Sequence, residues 1–184
     1  MRALAKWSVE DYHHMIAAGI LAHRRVELLR GDIVEMSPEG PEHYYLSDEA
    51  SDYLKEVLAS KAVVRLDGPV TLADSEPEPD IAIVRPPKAQ YRDRHPSPED
   101  IFWIIEFSNS TLARDLKEKR AIYASASIPE YWVVDLQKKT LTLFRTPIGE
   151  IYQSQQTLSQ GAVTPLAFPN TAISVSRLLG ASAP

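Results

Sequence analysis

Apolar residues in this chain come in short blocks whose spacing switches between the period of a helix and that of a strand. Tyr12, Met15, Ile16 and Ile20 recur at helical spacing behind Ser8, with Glu10 and Asp11 in the first turn. That pattern predicts a capped helix with those four side chains turned inward. Arg25-Val26-Glu27-Leu28-Leu29 and Ile33-Val34-Glu35-Met36 flank Arg30-Gly31-Asp32 and read as a hairpin. After the breaker Pro38-Glu39-Gly40-Pro41, a second helix is expected from about His43 to Ser60, with Leu46, Ala50, Tyr53, Leu54, Val57 and Leu58 on one stripe. Val63-Val64-Arg65-Leu66 and Val70-Thr71-Leu72, split by Asp67-Gly68-Pro69, read as two short strands. Ile81–Val84 and Ile101–Ile105 are further strands, separated by a charged, proline-rich loop. A third helix is expected over roughly Thr111 to Ser125, and Tyr131–Asp135 and Thr140–Arg145 pair across a Lys138-Lys139 turn. Weaker strand signals surround Tyr152, Val163 and Ile173, with a short helical end near Ser176–Leu179.

The order of these elements predicts a mixed α/β fold. A helix between the strands of Glu106 and Trp132 is the crossover that a parallel pair requires, whereas short connections make the earlier strands antiparallel. One domain spanning residues 1–184 is expected, since no interdomain linker or internal repeat interrupts the pattern.

Two acids interrupt this apolar pattern. Pro77-Glu78-Pro79-Asp80 runs straight into Ile81-Ala82-Ile83-Val84, and Ile101-Phe102-Trp103-Ile104-Ile105 ends in Glu106. A carboxylate taken out of water at a strand end needs a metal or a cation to offset its desolvation. Strand alternation puts Glu78 and Asp80 on one face with Ala82 and Val84, and Glu106 on a face with Ile104 and Phe102. If the two strands are neighbours, Asp80 and Glu106 converge on one divalent ion, and oxygen-only ligation favours Mg²⁺ or Mn²⁺ over zinc. The plainer alternative leaves each acid solvated at the end of its strand. On a helical wheel Lys119 falls within the stripe of Leu112, Leu116, Tyr123 and Ala126, while Lys117 falls off it. Lys119 is therefore expected to face the sheet, with Asp115, four residues earlier, as its local partner.

Other candidates are less determined. His43, at the start of the second helix's stripe, could meet a phosphate or shuttle a proton, or simply pack. Glu27 could complete a metal shell or, as an alternating residue, point outward. Ser108, Asn109, Ser110 and Thr111 suit the cap of the third helix. Composition adds limits: 44% hydrophobic and 24% charged residues are ordinary for a globular protein, and no apolar run is long enough to cross a bilayer. The absence of cysteine excludes disulfides, thiolate nucleophiles and cysteine-bound zinc, and a cytoplasmic protein is the simplest reading. A net charge of −5 disfavours a nucleic-acid coat but not a nuclease with a local basic cleft. Arg85, Lys88, Arg92, Arg94 and His95 form the best basic cluster.

Several stretches together resemble a known family. They are Arg25–Pro38, Pro77-Glu78-Pro79-Asp80-Ile81, Ile105-Glu106-Phe107-Ser108-Asn109-Ser110-Thr111, Asp115 through Lys119 to Tyr123-Ala124, and Ile128–Asp135. They resemble the Uma-type restriction-endonuclease-like family, a domain of unknown function within the PD-(D/E)XK nuclease superfamily. The resemblance implies a restriction-endonuclease-like core, a mixed sheet flanked by helices, with an N-terminal helix and hairpin and a C-terminal β extension. It implies Asp80 and Glu106 as Mg²⁺ (or Mn²⁺) ligands and catalytic residues, with Lys119 as the catalytic lysine. Glu27, His43 and Glu78 are secondary candidates. The chain departs from the superfamily pattern at Ser108, which stands where the signature lysine is usual; the lysine looks relocated to Lys119. The implied activity is endonucleolytic hydrolysis of DNA, and the alternative is an inactive nuclease-fold module that binds nucleic acid. A homodimer is also implied, and no membrane partner.

Overall fold

The computed structural model describes residues 4–109 and 115–180. Its first helix, α1 (Val9–Ala17), begins where expected: Ser8 and Asp11 form a reciprocal capping box. Only Tyr12 of the predicted stripe is buried, and its hydroxyl donates to the Val26 carbonyl (2.8 Å). Ile16 and Ile20 are 51% and 66% exposed. The helix stops at Ala17 and Gly19 turns left-handed (φ 72°), so Ile20 lies beyond the periodicity that was to bury it.

Strands β1 (Val26–Leu29) and β2 (Asp32–Glu35) form the expected hairpin, with Leu29 paired to Asp32. Arg30 and Gly31 carry positive φ angles of 49° and 77°, as a two-residue type I′ turn demands. Every residue of β1 is buried, Glu27 included, which corrects the outward alternative. The strand is covered on both sides: β2 pairs along one edge, and Glu76 exchanges backbone hydrogen bonds with Leu28 along the other.

Helix α2 (Pro41–Leu58) starts with a proline in its first turn, two residues before the expected start. It buries Ala50, Leu54 and Leu58 against a six-stranded sheet. That sheet runs in the order β3 (Val63–Leu66), β4 (Ile81–Val84), β5 (Ile101–Ser108), β6 (Glu130–Asp135), β7 (Thr140–Ile148), β8 (Ile151–Leu158). Neighbours are antiparallel except β5 and β6, which are parallel and joined by the helical crossover. Within the crossover a π-helical turn, Asp115–Lys119, leads into α3 (Arg120–Ser125). Leu112 and the proposed cap residues Ser110 and Thr111 lie outside the described residues. Beyond the sheet, β9 (Ala162–Val163) pairs with β10 (Ile173–Ser174), followed by α4 (Val175–Leu178).

Three strand readings change. Val70 and Leu72 are buried, but they sit in a loop whose backbone bonds go to Pro77 and Ser75 and not to a ladder. Pro77–Asp80 precedes β4 and is not part of it, so alternation does not reach Glu78. Strand β5 runs two residues past Glu106, and a bulge opposite Ile83 and Val84 leaves Phe102 without a partner. Phe102 packs with Phe168 and not beneath Ile104.

Alternation along the central strands divides the core. Ile81, Ile83, Trp103, Ile105, Phe107, Trp132 and Val134 face α2. Ala82, Val84, Ile104, Tyr131 and Val133 face α3 and the hairpin, meeting Ile122, Tyr123 and Leu29. The second face is the one from which Glu106 projects.

Candidate active site

A cavity of about 50 Å³ opens where the start of β4, the end of β5, the hairpin, α2 and the crossover meet. It has room for an ion and a few waters. Asp80, Glu106, Lys119, Glu27, His43 and Glu78 all line it, so the structure brings every sequence-derived candidate together.

Each side chain arrives by a local device. Asp80 sits in the bend that admits the chain to β4, and its Oδ2 accepts the Phe107 backbone N–H from β5. Glu106 projects from near the end of β5; its Oε1 accepts Lys119 Nζ (2.9 Å) and the Tyr123 hydroxyl (2.9 Å). Lys119 ends the π-helical turn and is 5% exposed, whereas Lys117 is exposed, as the wheel predicts. Its second carboxylate is Glu27, with Oε2 at 3.2 Å, and Glu27 Oε2 in turn accepts the Glu78 backbone N–H (3.3 Å). Among the described residues Lys119 thus pairs with Glu106 and Glu27 from two other elements. Asp115, its expected local partner, accepts the Ser108 hydroxyl (2.7 Å). Ser108 is therefore a buried residue of β5 that anchors the crossover, not a helix cap.

His43 reaches the site from the first turn of α2, with Nε2 3.3 Å from Asp80 Oδ2 and Nδ1 3.7 Å from Glu39. Burial pulls its pKa down, but Asp80 and Glu39 outweigh burial and raise it to about 9. Lys119 shows the same contest. Burial lowers it, yet the charges of Glu106, Glu27 and Asp115 hold the ammonium above its ordinary value. Glu106 is raised well above the carboxylate range, by burial first and then by the charges of Asp80, Asp115 and Glu27 against the pull of Lys119. Burial also raises Glu78. Asp67, beside the site at the end of β3, is pushed up to about 6 by burial and by the charges of Glu39 and Asp80.

These shifts describe a site with too much negative charge. Glu27, Glu39, Glu78, Asp80, Glu106 and Asp115 line one small cavity, where Lys119 and a protonated His43 are the cations among the described lining residues and Arg25 acts on Glu78 from outside it. A hard divalent cation fits that donor set. Among the described residues no three His, Asp or Glu side chains form a ligand cluster by themselves. Asp80 and Glu106 would therefore supply two carboxylates, with water or phosphate oxygens completing the shell, as Mg²⁺ commonly takes.

Sequence reasoning missed Tyr123 as a member of the site. It entered the wheel as an apolar position, yet its place four residues after Lys119 put its hydroxyl within reach of the same carboxylate. Glu39 had no signal, because it lies in a loop and is positioned by Arg25 (2.6 Å).

Two comparisons relate the chain to known proteins. A family model described as "Uma2: Putative restriction endonuclease" matches residues 9–176. A solved structure, described as "a putative nuclease belonging to DUF820 from Anabaena variabilis", superposes with a TM-score of 0.67 at 16% sequence identity. The match covers 84% of this chain and 89% of that one, and it shows a shared fold. No curated protein matches the sequence.

Proposed function

The chain belongs to the Uma2 family, and from that premise we propose that it is an Mg²⁺- or Mn²⁺-dependent endonuclease hydrolysing DNA phosphodiester bonds, a single domain over residues 1–184. The observation that carries this reading is the buried Lys119 ammonium held by Glu106 and Glu27 beside Asp80, in a cavity with a surplus of carboxylates. Asp80 and Glu106 would hold the ion, and when bound it polarises the scissile phosphate and lowers the pKa of a water.

The chain's own groups do the rest. Lys119 has three donors, and its two carboxylates leave at least one for a water or a phosphate oxygen. Its position is fixed before substrate arrives, so it can stabilise developing charge without reorganising. Tyr123 holds Glu106 Oε1, which keeps Oε2 as the oxygen without a hydrogen bond among the described residues. The Phe107 N–H does the same for Asp80 by engaging Oδ2. Ser108, at the usual lysine position, keeps a structural role, because Lys119 brings the ammonium in from the crossover.

Supercoiled plasmid incubated with Mg²⁺ or Mn²⁺ tests the proposal. Nicking by the wild type and a loss of at least about 100-fold in Asp80→Asn and Glu106→Gln are expected, on the scale of removing an electrostatic catalytic group. Equal nicking by the wild type and both variants would refute the assignment. Nucleic-acid binding without cleavage in any divalent ion would favour an inactive nuclease-fold module.

A further inference from the structure

The basic loop between β4 and β5 has no role in the carboxylate site, and it borders a second cavity of about 720 Å³. Arg65, Arg92 and Arg94 line this cleft together with Ile16 and Ala17 of α1. Tyr91 lies under the cationic side: the Arg65 and Arg94 guanidinium carbons stand 5.6 and 5.3 Å from its ring centroid. Its hydroxyl is tied to the Arg85 carbonyl (2.8 Å), so the platform is fixed.

The charges in the wall are unequally committed. Arg94 is held by Asp100 through two contacts (2.5 and 3.2 Å). Arg65 has no carboxylate within ion-pair distance among the described residues, and its Nε is buried without a hydrogen-bond acceptor. Arg92 is 86% exposed, and its nearest carboxylate, Asp93, is 4.0 Å away. Two carboxylates line the cleft: Asp93, the loose neighbour of Arg92, and Glu76, which is already taken by His13 (2.7 Å) and Thr71 (2.7 Å). Burial keeps His95 below its ordinary value, which leaves the arginines as the positive charge of this wall.

Sheet register relates the cleft to the carboxylates. Arg65 pairs with Ala82, which pairs with Ile104, so the three share the face from which Glu106 projects. Asp80, just before β4, and Glu106, within β5, lie two residues further in the same direction, roughly 7 Å away. A chain molecule with its reacting bond at the carboxylates therefore passes this wall within one or two of its units. A cleft lined by weakly committed guanidiniums and by exposed aliphatic surface complements a nucleotide, which presents a phosphate and an apolar sugar and base.

We propose that this cleft is a nucleotide-binding subsite for the strand whose phosphodiester enters the carboxylate site, with Arg65 and Arg92 on its phosphate and the Ile16–Ala17 wall against its sugar or base. The subsite rests on the nuclease reading for its substrate but not for its test. Anisotropy of fluorescein-labelled DNA, single-stranded and duplex, is measured in EDTA across a salt series, so that no strand is cut. Arg65→Gln and Arg92→Gln are expected to weaken binding several-fold each and to lower the slope of log K against log salt by about 0.7 to 0.9 per arginine. Arg65→Lys should restore the slope, and Ile16→Ala should weaken binding without changing it. Unchanged affinity and slope in Arg92→Gln, whose exposed side chain carries no folding role, together with a folded Arg65→Gln, would overturn the subsite. A wild type that binds through these arginines yet never cleaves would leave the subsite standing and remove the nuclease reading. Cleavage with binding indifferent to both arginines would do the reverse.

Discussion

Lys119 shows how much one buried charge can depend on its partners. Its ammonium is 5% exposed and lies against Glu106 and Glu27, themselves 4% and 1% exposed. Taking three such groups from water is costly, and their mutual attraction is what offsets it. Lys119→Met keeps the side-chain volume but leaves two buried carboxylates facing each other. The expected loss is about 3–5 kcal/mol of unfolding free energy, read by chemical denaturation. Adding Glu106→Gln should recover part of it, because one of the two stranded charges is then gone; a fully additive double variant would show that the pair is not coupled.

Elements set where these residues stand, and the hairpin is the most exacting of them. Gly31 combines a φ of 77° with a packed surrounding: an added Cβ would meet Lys6 Cβ at 2.8 Å and the Trp7 carbonyl at 3.0 Å. Gly19 has a similar φ of 72° and nothing within 4 Å. Gly19→Ala should therefore cost about 1–2 kcal/mol, the penalty of the left-handed backbone alone. Gly31→Ala should cost more and lower the Tm further, because the hairpin must also part from the N-terminal segment. Equal Tm values for the two variants would mean that this contact carries no strain. The comparison bears on function, since the same hairpin delivers Glu27 to Lys119.

At the scale of the whole molecule, the sheet, hairpin and crossover assemble a pocket whose net charge no single element reveals. Glu106 and Glu78 are held above their ordinary values by burial and by their acidic neighbours, and that repulsion weakens folding. A divalent cation binding only the folded state should relieve it and raise the Tm with concentration, as linkage requires. A calorimetric or fluorescence melt in Mn²⁺ should show this rise in the wild type and a smaller one in Asp80→Asn. The same rise in both would move the ion away from Asp80.

Periodic and local features were legible in the sequence because they depend on neighbours along the chain. The Ser8 cap, the Arg30-Gly31 turn, the strands ending near acids and the choice of Lys119 over Lys117 all follow from spacing. The break in apolar pattern also located Asp80 and Glu106, since a carboxylate at the edge of an apolar run is conspicuous without any fold. What the sequence could not decide is who meets whom across the sheet. Glu27 turns inward because Leu29, on the same face of β1, packs in one cluster with Ala82 and Ile104 of the distant central strands, and His43 reaches Asp80 only because α2 begins beside Phe107 of β5. Lys119 gains Glu106 and Glu27 as partners beyond the nearby charge of Asp115 for the same reason: contacts between distant segments are fixed by packing and burial, which have no period to read. The sequence thus determined the chemical groups and the faces that carry them, while the tertiary structure decided their partners and the charge of the pocket they share.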